Sequence, residues 1–160
     1  SLTTYLQTGH ADGIASAAGP MAEVVSNLQE IPQSDITAMS TYLASLVPPV
    51  SDRVAPVAQA VPLNTTAHRI FENSCASCHE PAFTGMLTAA RVPLTQSMAI
   101  RAPSIEAATT IISQGLRAPD NLNLRDMPGF SEEFTHEQIA ELADYLRARY
   151  APDLPAWANR

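Results

Sequence analysis

At 160 residues the chain can form one compact domain and part of another, and its formal charge of −7 with a pI near 4.9 argues against nucleic acid and anionic membrane surfaces as partners. All nine basic residues are arginine, which excludes docking through a ring of lysines and leaves arginine patches, apolar contact or a covalent tether for that task. No run approaches the roughly 20 apolar residues a membrane span needs, and no signal peptide stands at the N-terminus.

In chain order, residues 1–47 read as helical and carry Met21 in the run Gly19-Pro20-Met21. The pattern at Ser1 looks like the middle of a helix, which favours a truncated chain. Four prolines within residues 48–63 predict an extended, fairly stiff connector. Asn64-Thr65-Thr66 then supplies N-cap candidates for a helix in which Ala67, Ile70, Phe71 and Cys75 recur at helical spacing.

The chemistry concentrates in Cys75-Ala76-Ser77-Cys78-His79. A C-x-x-C-H run is the sequence form of a covalent attachment site for c-type haem. Thiols about one helical turn apart can both add to vinyl groups on one porphyrin edge, and the histidine that follows falls beneath the iron as an axial ligand. These are the only two cysteines in the chain. A thioredoxin-like redox pair needs a neighbouring βαβ pattern, and no strand alternation lies nearby. A zinc site needs about four ligands, and His10, His68 and His136 show no metal-ligand spacing to the motif. A disulfide between cysteines three apart would be strained and would leave His79 without a role. Covalent haem attachment takes place outside the bacterial cytoplasm, so the expected location is the periplasm and the absent signal points to processing or truncation.

Pro103-Ser104 opens a segment with Ile105, Ala108, Ile111, Ile112 and Leu116 on one face, and Gly115 lies near its end. In Arg125-Asp126-Met127-Pro128-Gly129-Phe130, proline disfavours helix for the residue before it, so Met127 lies in a loop. A loop methionine can aim its thioether at iron from the face opposite His79; the alternative is a core gap-filler. Its place after the haem motif and before a further helix favours the ligand. That helix starts at the capping box Thr135-His136-Glu137-Gln138 and carries the stripe Ile139, Leu142, Ala143, Leu146 and Tyr150. Trp157, in a proline-rich tail, is expected as a surface anchor, and Arg91 and Arg101 are candidates to pair with haem propionates.

The N-terminal segment echoes the end of the chain. Tyr5-Leu6-Gln7-Thr8-Gly9 resembles Ile111-Ile112-Ser113-Gln114-Gly115, and Gly9 precedes Met21 by the same 12 residues that separate Gly115 from Met127. Ile36, Tyr42 and Leu43 match Ile139, Tyr145 and Leu146 at an offset of 103 residues. Fixed-offset similarity points to duplicated units. The simplest account makes residues 1–47 the C-terminal half of a preceding domain without its C-x-x-C-H half; the alternative is a helical extension with Met21 in an apolar contact.

Residues 64–150 resemble a class I cytochrome c domain in their order: helix, CASCH, long wrapping segment, helix, Met-Pro loop, closing helix. The resemblance implies an all-α fold wrapped around one covalent haem c, preceded by an N-terminal helical half-domain. It implies that Phe71 and Tyr145 pack where the first and last helices cross; the family usually has glycine where Ala67 stands, so a slightly wider crossing is expected. It also implies a proline whose carbonyl fixes the proximal histidine, with Pro93 as candidate and Pro81 as alternative. The expected organisation is residues 1–47 as the half-domain, 48–63 as linker, 64–152 as the cytochrome c domain and 153–160 as tail. Cys75 and Cys78 are the expected attachment residues, with His79 and Met127 as iron ligands.

Gly-Pro-Met-Ala-Glu-Val-Val, the Pro-Pro linker and Ala-Asp-Tyr-Leu-Arg-Ala-Arg extend the resemblance to the multi-haem cytochrome subunits of bacterial periplasmic dehydrogenases, of the alcohol, aldehyde, gluconate or molybdenum hydroxylase type. That implies a non-catalytic one-electron relay, taking electrons from a dehydrogenase catalytic subunit and passing them to a downstream cytochrome, an oxidase or a quinone-linked acceptor. The alternative is a peroxidase-like or gas-binding haem with a displaceable distal ligand, for which no histidine–arginine pair is positioned.

Overall fold

The Ser1 Oγ accepts the Thr4 backbone N–H at 3.2 Å and caps α1, Leu2–Thr8. The computed structural model describes residues 1–11, 15–17, 20–46, 61–63, 65–80, 94–117 and 126–158. The chain forms two compact units, one of Ser1–Val54 with Arg117–Leu124, the other of Ala55–Leu116 with Arg125–Arg160.

In the first unit α1 ends at Gly9, whose φ of 72° is the left-handed conformation that glycine adopts without penalty. The two-residue strand β1, His10–Ala11, then pairs antiparallel with β2, Ala15–Ser16. Two helices follow, α2 at Pro20–Leu28 and α3 at Gln33–Ser45. Leu6, Leu28 and Ile36 form the small core, with Leu2 and Tyr5 against it. Thr3 Oγ1 and Ser40 Oγ, 2.7 Å apart, tie α1 to α3. Met21 is half-buried in the first turn of α2, whereas Met39, Tyr42, Leu43 and Leu46 along α3 are exposed.

In the second unit Thr65 caps α4, Thr66–Ile70, by accepting the His68 N–H at 3.1 Å. The helix widens into a π turn over Phe71–Cys75 and tightens again as α5, Ala76–His79. A 3₁₀ turn at Leu94–Gln96 leads to α6, Met98–Arg101, and α7, Glu106–Gln114. Helix α7 begins after Ile105 rather than at Pro103-Ser104, and no side chain caps it. The closing helix α8, His136–Tyr150, has the expected capping box: Thr135 Oγ1 accepts the Gln138 N–H and Gln138 Oε1 accepts the Thr135 N–H. Its stripe of Ile139, Leu142, Ala143, Leu146 and Tyr150 is buried.

One core holds this unit together: Ala67, Phe71, Cys75 and Ala76 from the first helical segment, Ile100, Ile105, Ala108 and Ile112 from α6 and α7, and the α8 stripe. Phe71 and Tyr145 meet with ring centroids 5.7 Å apart, as the resemblance implies, and Ala67 is buried beside them. Trp157 is a correction: it is buried in the same core rather than anchored at the surface. Its Nε1–H donates to the Ala102 carbonyl at 2.8 Å, and the Arg147 guanidinium lies 4.5 Å over its ring. The molecule is mostly helical; among the described residues, extended pairing is confined to β1–β2 and a single bridge between Leu116 and Met127.

Candidate haem-attachment site

The π turn decides where the motif points. Its five residues, Phe71–Cys75, add to the turn relative to an α-helix, and one extra residue rotates all that follows by about 100°. Cys75, at φ −119°, resets the chain into α5. Cys75 is thereby buried in the core, while Cys78 and His79 are half-buried. Helix α5 stops immediately after the histidine, where Glu80 turns extended with its N–H on the Ala76 carbonyl at 2.8 Å.

Both cysteines are free thiols. Burial, and then the neighbouring Cys78, push the Cys75 thiol up to about 11, so it carries its proton at neutral pH. Among the described residues no three His, Cys, Asp or Glu side chains converge to hold a metal ion. The donor set of two free thiols one turn apart and an adjacent imidazole fits a covalently held macrocycle: Cys75 and Cys78 would bind the ring, and His79 would be this segment's ligand to the metal.

Met127 sits on a separate, tightly fixed strand of chain. Helix α7 ends at Gly115 with φ 75°. Leu116 and Met127 then exchange both backbone hydrogen bonds, at 2.9 and 2.8 Å. A Cβ on Gly115 would lie 2.3 Å from the Met127 carbonyl oxygen, and one on Gly129 2.6 Å from that of Ser113, so the two segments approach as only glycine allows. Beyond Met127, the N–H groups of Phe130 and Ser131 donate to the Ile112 and Ser113 carbonyls at 3.0 and 3.2 Å. The last turn of α7, which would otherwise leave these carbonyls unpaired, thus holds the methionine loop. The Met127 side chain is half-buried.

Cys75, Cys78 and His79 therefore share one continuous helical segment, and Met127 comes from another. Pro93, its alternative Pro81, and Arg91 lie outside the described residues. Arg101 pairs with the Asp153 carboxylate through both terminal nitrogens, an ion pair to the C-terminal segment. Two polar clusters escaped sequence reasoning. Arg147 is buried, donating to the carbonyls of Ile100, Ala102 and Pro155 at 2.8 to 2.9 Å. Its place four residues after Ala143, on the apolar stripe, was the available signal. Glu80, Arg149 and Tyr150 form the other, and no spacing links Glu80 to residues 69 and 70 positions away.

A mostly helical domain with a C-x-x-C-H segment against its closing helix and a methionine loop held on the penultimate one defines a c-type cytochrome, whose cofactor is covalently bound haem c. The model of the family described as cytochrome c oxidase, cbb3-type, subunit III matches residues 62–146, and the chain belongs to that family. A nicotinate dehydrogenase subunit of Pseudomonas putida is 32% identical over 159 residues, covering 98% of this chain and 13% of that protein. The fructose dehydrogenase cytochrome subunit of Gluconobacter japonicus is 29% identical over 178 residues, covering 93% of this chain and 36% of that protein. The chain thus spans well under half the length of these curated relatives. It is an electron-transfer cytochrome domain homologous to dehydrogenase subunits.

Proposed function

We propose that this chain is a non-catalytic one-electron relay in a bacterial periplasmic dehydrogenase complex. Cys75 and Cys78 anchor the haem, and His79 and Met127 would hold its iron from two sides. Haem c supplies the Fe(III)/Fe(II) couple. The protein contributes two fixed ligands, so that oxidation state changes with little rearrangement, and a buried attachment helix that excludes water from Cys75. The catalytic subunit of a dehydrogenase is the donor; a downstream cytochrome, oxidase or quinone-linked carrier is the acceptor. No described helix is long and apolar enough to cross a membrane. A proline carbonyl from Pro93 would orient the proximal imidazole.

Residues 1–47 are read as the closing half of a preceding cytochrome domain, 48–63 as linker and 64–152 as the haem domain, with the following segment through Trp157 packed as part of that domain's core. The exposed Met39, Tyr42, Leu43 and Leu46 on α3 support the half-domain reading, because the matching face of α8 is the one that receives α4.

The observation that carries the relay is the double hydrogen bond between Leu116 and Met127, which fixes a methionine loop on a domain that already presents Cys75, Cys78 and His79. The ferric protein is expected to show the weak near-infrared methionine-to-iron charge-transfer band. Met127→Ala abolishes it and lowers the reduction potential strongly. A ferric protein without the band, or one that Met127→Ala leaves unchanged, contradicts this ligation.

A further inference from the structure

Where the attachment helix ends, the closing helix presents a set of polar groups that ligation by His79 and Met127 does not require. Glu80 Oε1 accepts from Arg149 Nη2 at 2.7 Å and from the Tyr150 hydroxyl. Arg149 Nη1 donates to the Tyr145 hydroxyl at 2.9 Å, and that hydroxyl stands 2.9 Å from His68 Nδ1. The Arg149 guanidinium lies 5.4 Å from the ring centroids of both Phe71 and Tyr150. The Glu80 and Arg149 side chains are each 19% exposed, so their ion pair is largely withdrawn from water and its field is less screened than that of a surface pair.

Two features tie this cluster to the iron site. Glu80 is one peptide bond beyond His79, at the point where the backbone leaves the helix with φ −92° and ψ 132°. Its partners, Arg149 and Tyr150, stand in the last turn of α8, so the pair links the residue after the histidine to the helix that closes the domain. Tyr150 is held well above the ordinary tyrosine range, by burial and then by its hydrogen bond to Glu80, and remains a neutral donor.

We propose that Glu80 and Arg149 are a positioning and tuning pair for the proximal ligand: together with Tyr150 they pin the peptide that follows His79 to α8, and their opposed charges set the reduction potential of the iron. This rests on the reading of His79 as an iron ligand. A negative charge beside the iron favours the ferric state and lowers the potential; a positive charge does the reverse. The two residues therefore act with opposite sign, which a merely structural contact would not do.

The test is a mediated redox titration of the haem-loaded full chain as wild type, E80Q, R149Q, R149K, Y150F and the E80Q/R149Q double variant, with the near-infrared band recorded on each. E80Q raises the potential and R149Q lowers it; the double variant falls between them, and R149K, which keeps the charge, stays nearest the wild type. Y150F removes only a hydroxyl that partly neutralises Glu80, so it lowers the potential by less than R149Q, and it carries the test if a charge variant fails to fold. Shifts of the same sign in E80Q and R149Q overturn the proposal, as does an unmoved potential in Y150F. A wild-type protein without the near-infrared band contradicts Met127 ligation instead, and leaves the opposed signs to be read on their own.

Discussion

Helices α3 and α8 start 103 residues apart, at Gln33 and His136, and carry matching apolar faces that meet opposite fates. Ile36 and Ile139 are both buried, at 2% and 3% exposure. One turn further they diverge: Met39 is 38% exposed where Leu142 is 0%, Tyr42 is 64% where Tyr145 is 7%, and Leu43 is 38% where Leu146 is 7%. In the second unit that face is covered by α4 and the π turn, with Phe71 against Tyr145. The lesson is that the attachment segment is a core element as well as the carrier of the cysteines. The same piece of chain that positions Cys75 supplies Phe71, the largest fully buried side chain among the described residues.

The difference predicts a graded set of effects. Removing the cover should be the most damaging change: Phe71→Ala is expected to destabilise the second unit by about 3–5 kcal/mol, read by denaturant unfolding of the haem-loaded chain. A loss below about 1 kcal/mol would mean that the attachment segment contributes little to the core. Gly115→Ala comes next. It forces a side chain into a positive-φ, extended-ψ backbone that is essentially confined to glycine, at an expected cost of about 1–3 kcal/mol, and pushes its Cβ against the Met127 carbonyl. The near-infrared band should weaken with it, whereas a retained band at full stability would show that the bridge does not hold Met127.

A smaller effect is confined to alkaline pH. The folded Cys75 thiol titrates at about 11 against an ordinary 9.0, so its stabilising contribution is complete below 9.0 and is lost as pH rises toward 11. Thioether formation removes that proton, so this loss should occur in the haem-free chain and vanish in the loaded one; equal alkaline behaviour in both forms would count against a buried Cys75. The smallest effect is expected at the uncovered face, where Tyr42→Ala should change stability by no more than about 0.5 kcal/mol. A loss matching that of Tyr145→Ala would show that α3 is covered after all.

Much of this was legible from the residues because the signals are local. The capping box at Thr135, the Thr65 cap, the π-turn-bearing helix through Phe71 and the Gly115 stop each depend on neighbours within a few positions, and each stands where spacing predicted. Met127 was readable as a loop residue because Pro128 follows it. What held that loop was not readable: the Leu116–Met127 bridge and the Gly129–Ser113 approach join segments whose connection carries no periodic pattern. Trp157 was misjudged for the same reason. Prolines around it suggested a solvated tail, but burial was decided by Arg147 and the Ala102 carbonyl, 55 residues upstream. The Glu80–Arg149–Tyr150 cluster likewise depends on the packing of the attachment helix against α8, which no single stretch of sequence reports.

The contrast between the units is tested most directly by the intact mass of the mature protein. The second unit alone offers thiols, Cys75 and Cys78, and the first offers Met21 with nothing covalent to accompany it. The mass should exceed that of the polypeptide by one haem, and the increment should vanish when Cys75 and Cys78 are both replaced by alanine. No increment, or two haems per chain, would contradict the account.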